Sequence, residues 1–136
     1  MSNQLGFIVE LPLSFDPAVT RVRDALKQEG FGVLTEIDLR AAFREKLGQE
    51  FRPYVILGAC NPPLAFKAIS ADPSVGLLLP CNVTVEWLAE ERTTVRLTDP
   101  EALLSTVALQ GAPELTSVAR DARERMLRVA DSLAKG

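Results

Sequence analysis

The sequence predicts an α/β (α+β) fold: a mixed five-stranded sheet with helices packed on one face, in the order β-α-β-α-β-α-β-β-α-α. Three observations carry this. Short apolar runs of strand length alternate with stretches whose apolar residues recur every three or four positions. Several of those stretches open on Asp or Asn followed by Pro, a helix-start signature. The 136 residues contain no linker, repeat or low-complexity segment, so one domain spanning 1–136 is expected.

The first strand is "LGFIVEL", 5–11. In "FDPAVTRVRDALKQEG", Asp16 is expected to cap and Pro17 to open a helix; Val19, Val22 and Leu26 form its apolar stripe and Gly30 ends it. Strand 31–36 follows. Asp38 then caps a second helix, with Leu39, Ala42, Phe43 and Leu47 inward and Gly48 as its stop. Strand 53–60, "PYVILGAC", is apolar on both faces and should be buried on both. Asn61 and Pro62 start a third helix with Leu64, Ala65, Ala68 and Ile69 on one side. Strands 81–88 and 92–97 read as a hairpin turning near Glu90. Asp99 and Pro100 start a helix over 99–111, and 113–134 carries a final amphipathic one. The polar second face of the hairpin strands needs a cover that one layer of helices does not supply, so a homodimer is expected.

Composition narrows the chemistry. The chain has no histidine, which removes the Ser-His-Asp triad, the Cys-His pair and every imidazole metal site. A net charge of −3 with scattered bases argues against nucleic acid as a partner. No apolar run approaches the ~18–20 residues that cross a bilayer, and the N-terminus reads as a strand rather than a signal peptide. A cytoplasmic protein is the expectation.

Two cysteines, Cys60 and Cys81, each precede an asparagine. Asn61 caps a helix, so Cys60 sits where a strand hands over to a helical N-terminus, a place that lowers thiol pKa values. Equally, free Cys is among the most buried residue types, and Cys60 can simply close a central strand. Cys81 shares parity with Val83 and Val85 and should point inward, while Asn82 falls on the polar face. A spacing of 21 residues matches no metal-ligand pattern.

The phrases "GFGVLTEIDL", "YVILGACNPPLA" and "LLLPCNVTV", with the order of elements, resemble domain-of-unknown-function family 302 (DUF302) over residues 5–130. The resemblance implies a compact two-layer fold, generally homodimeric, and transfers no catalytic residue. The leading expectation is a small-ligand or partner site at the strand ends around Cys60, Asn61, Pro62, Cys81 and Asn82, since α/β ligands gather at carboxyl ends of parallel strands. The alternatives are a thiol-dependent enzyme or redox protein with Cys60 as nucleophile, and a soft-metal or haem binder through Cys60 and Cys81.

Overall fold

The computed structural model describes residues 2–105 and 113–136. The strands are β1 (Gly6–Leu11), β2 (Gly32–Asp38), β3 (Tyr54–Cys60), β4 (Cys81–Ala89) and β5 (Arg92–Thr98). The helices are α1 (Phe15–Gln28), α2 (Leu39–Leu47), α3 (Pro62–Ala71), α4 (Pro100–Leu104) and α5 (Pro113–Lys135), with a 3₁₀ segment at Pro73–Leu78. The expected α/β element order stands; residues 106–111 of the helix expected after Asp99 lie outside the described residues.

The sheet runs β1-β5-β4-β3-β2, and every adjacent pair is antiparallel, where parallel neighbours were expected. The reason is topological. The α1 crossover does join two strands of one direction, β1 and β2, but it sets them at opposite edges. The returns through α2 and through α3 each reverse the chain beside the strand it has just left. No parallel pair therefore forms.

Local chemistry set most helix ends. Asp38 accepts from the Ala41 N–H (2.9 Å) and Gly48 closes α2 in the left-handed region (φ 65°). Asp99 accepts from the Glu101 N–H (3.0 Å). Asp16 does not cap α1: the helix starts at Phe15 behind Ser14, whose side chain makes no capping bond. Phe15 packs against the core, and drawing it into the first turn moves the start two residues earlier, from Pro17 to Phe15. Asp16 keeps only a favourable place near the positive helix end.

One face of the sheet presents Val55, Leu57, Ala59, Val83, Val85 and Val95 to α1 and to the C-terminal half of α5, where Met126, Val129 and Leu133 are buried. A second cluster joins Leu64 and Ala68 of α3, Val75, Leu104 and the N-terminal half of α5 through Leu115, Val118, Ala119 and Ala122. Helix α5, about 35 Å long at 1.5 Å per residue, spans both clusters. Leu64 and Ala68 are the buried residues of α3. At about 1.5–3 kcal/mol per fully buried large side chain, α3 is held chiefly through Leu64.

On the other face of the sheet, Ile8, Tyr54, Ile56 and Thr84 are half-buried and Asn82 and Arg96 are exposed. Strand β3 is thus sealed on its inner side only, against the expectation of burial on both. Glu86 is buried there between two guanidiniums, bonded by Arg96 (2.7 Å) and by Arg52.

Candidate functional site

Strand β3 meets α3 at Cys60–Asn61–Pro62, and the junction is built from the asparagine outward. Asn61 is buried; its Oδ1 accepts from the Leu64 N–H (3.2 Å). Its amide nitrogen stands 2.9 Å from where a β-carbon on Gly30 would lie, and Gly30 has a φ of +84°. Glycine there both adopts the left-handed turn after α1 and leaves room for the cap.

Beside this junction, at the seam between the two core clusters, lies a cavity of about 350 Å³. Ala59, Cys60 and Asn61 form one wall, and Leu64, Ala65, Ala68 and Ile69 of α3 a second. Leu34 and Thr35 of β2, Leu79–Cys81 before and at the start of β4, and Val118 and Ala122 of α5 complete most of it. Its lining is almost wholly apolar, with hydroxyl, amide and thiol groups from Thr35, Asn61, Cys60 and Cys81 as the polar exceptions. Leu34 and Ile69 are 67% and 42% exposed, so the cavity reaches the surface between apolar side chains.

Gly58, on the sheet face that Asn82 shares, sets how closely two of the wall residues approach each other. A β-carbon there would stand 2.2 Å from Thr35 Oγ1 and 2.8 Å from Pro80 Cγ, both of them groups of cavity-lining residues. The cross-strand approach that brings β2 and the segment before β4 together thus requires glycine on β3.

The electrostatics are the reverse of those expected from a helix start. Of the first four residues of α3, Pro62 and Pro63 have no N–H. The Leu64 N–H is bonded to the Asn61 side chain, and the Ala65 N–H to the Asn61 carbonyl at 2.9 Å. No free backbone donor remains to favour a thiolate. Burial pushes the half-buried Cys60 thiol up. Cys81 is pushed up to about 11, by burial first and by its neighbour Cys60 second. Both are thiols at neutral pH, and both are unbridged.

Cys60, Asn61 and Cys81 line the cavity, with Cys81 directly opposite Ala59 across the β3–β4 ladder. Pro62 is exposed at the first position of α3 and does not line it. Asn82 is exposed on the opposite face of the sheet, paired with Gly58, and its carbonyl accepts from Thr98 Oγ1 (2.6 Å). The sequence reading did not name the β2 and α5 walls. On β2, Leu34 is the extra residue of a bulge between Val33 and Thr35, a pairing irregularity that only the assembled sheet shows.

The profile of the family described as "Domain of unknown function DUF302" matches residues 7–133. The chain belongs to the DUF302 family. A solved relative, described as "Crystal structure of uncharacterized conserved protein DUF302 from Bacillus stearothermophilus", is 29% identical. The alignment covers 96% of this chain and 99% of that one, with a TM-score of 0.82. No protein with a curated description matches. The DUF302 fold is therefore common to both chains. Among the described residues no helix is long and apolar enough to cross a membrane.

Proposed function

We propose that the protein binds a small molecule in the cavity beside Cys60, Asn61 and Cys81, and that it does so as a homodimer. The observation that carries the first part is the cavity itself. A space of about 350 Å³ between two packed clusters, open to solvent and lined by apolar side chains, holds apolar surface against water, and a ligand of matching shape covers it. Its size falls in the range of small-molecule sites, ~300–1,000 Å³.

The dimer is argued from the other sheet face. Ile8, Tyr54 and Ile56 lie there half-buried, and the hydroxyls of Thr84 and Thr94 are buried without a hydrogen-bond partner. A twofold copy over that face gives the half-buried apolar side chains a cover. Light scattering at micromolar concentration tests it, and a mass of 14.8 kDa at every concentration counts against it.

The two thiol readings gain no specific support. A nucleophile requires a lowered pKa, and Cys60 has a raised one. A soft-metal or haem site would rest on Cys60 and Cys81 alone, since among the described residues no group of three or more His, Cys, Asp or Glu side chains gathers.

The binding test uses the uncharged fluorophore N-phenyl-1-naphthylamine. Saturable one-to-one enhancement is expected, and Ala65→Leu, which grows a half-buried lining residue into the cavity, should abolish it. Enhancement that never saturates, or that ignores the substitution, removes the proposal.

A further inference from the structure

We infer that the ligand of this cavity is an uncharged apolar molecule and that the site rejects acids and amines of the same shape. The inference rests on the binding reading above and adds its chemical class. Among the described residues no lining side chain carries a charge. The start of α3 adjoins the cavity, and its backbone donors are absent at Pro62 and Pro63 or already bonded at Leu64 and Ala65.

The guanidinium beside Gly30 is also engaged. Arg125 stands behind Gly30 and Asn61, bonded to Asp121 (2.9 Å) and to the Glu29 carbonyl (3.2 Å). The acceptor oxygen of Asn61 is committed to its cap, and the two thiols are protonated and weakly polar. A carboxylate or ammonium taken into such a site loses its hydration and meets no opposite charge, with only the neutral Thr35 hydroxyl and Asn61 amide to bond it, which leaves its burial unfavourable. An uncharged hydrophobe loses only its apolar contact with water, which is favourable. The mouth agrees with the interior: Leu34 and Ile69 stand at it rather than a lysine or an arginine.

The test compares three probes of equal chain length on the full chain at pH 7.5: 1-octanol, octanoate and octylammonium, each displacing N-phenyl-1-naphthylamine. The alcohol is expected to displace at a concentration at least tenfold below either ion, and Ala65→Leu should remove the displaceable signal. Should octanoate or octylammonium displace as well as the alcohol, the charge discrimination is wrong while the cavity remains a binding site. Failure of the alcohol to displace, or absence of a displaceable signal, overturns the binding reading and this inference with it.

Discussion

Replacing Gly58 with alanine tests how tightly Thr35 and Pro80 close over β3. The new methyl would lie 2.2 Å from Thr35 Oγ1 and 2.8 Å from Pro80 Cγ, against about 3.4 Å or more for ordinary contact. The two collisions are not equal. Thr35 is exposed and can turn about χ1 to swing its hydroxyl away. Pro80 is a rigid ring in the segment entering β4, and only movement of that segment relieves it. Overpacking of this kind costs about 1–3 kcal/mol. Gly58→Ala should therefore lower the urea midpoint by that amount at an unchanged slope. Adding Thr35→Ala should recover only the smaller part, because the Pro80 contact survives. Because Thr35 and Pro80 line the cavity, probe affinity should fall as well. A Gly58→Ala protein within 0.5 kcal/mol of wild type, or one fully rescued by Thr35→Ala, would refute the reasoning.

Three further predictions follow from the same geometry. Cys60 should react with the neutral disulfide 4,4′-dithiodipyridine faster than with the dianionic Ellman reagent and Cys81 more slowly than Cys60, with rates climbing through pH 9; a plateau at or below pH 7 would mean a lowered pKa. Burial raises the Glu86 carboxyl while Arg96 and Arg52 hold it down, and the arginines win, leaving it below its ordinary value. Its stabilisation is thus complete above the unfolded pKa of about 4.3 and is lost as pH falls through the folded one. Glu86→Gln should cost about 1–2 kcal/mol at pH 7, discounted because both arginines are more than a third exposed, and should flatten the acid limb of urea midpoints; parallel curves would contradict this. Asn61→Ala should cost about 1–2 kcal/mol as a lost cap and Asp16→Ala about 0.5 kcal/mol as a lost dipole contact, so equal losses in thermal melts would argue against the cap assignments.

What could be read from the chain was what is decided locally. Asp38, Gly48, Asn61 and Asp99 act within four residues of themselves, and each sits at the helix boundary its neighbours implied. Asp16 failed as a cap because the start of α1 is set by Phe15 packing on the distant core, which no spacing rule contains. Strand direction failed for a related reason: β1 and β2 share a direction but end at opposite edges, and only the assembled sheet shows that.

The site divides the same way. Cys60, Asn61 and Cys81 were flagged by a repeated dipeptide, whereas Leu34, Val118 and Ala122 reach the cavity from elements remote in the chain. The charge environment was legible but misread. "NPP" already says that two of the first four helical donors are missing, so the helix start beside Cys60 was never an anion site.

Xenon diffraction tests the central claim most directly, because xenon enters apolar cavities and avoids polar hydrated ones. Crystals pressurised with the gas should show a strong anomalous peak between Cys60, Ala65 and Val118. Ordered water filling that space, or side chains closed across it with no xenon bound, would contradict the account.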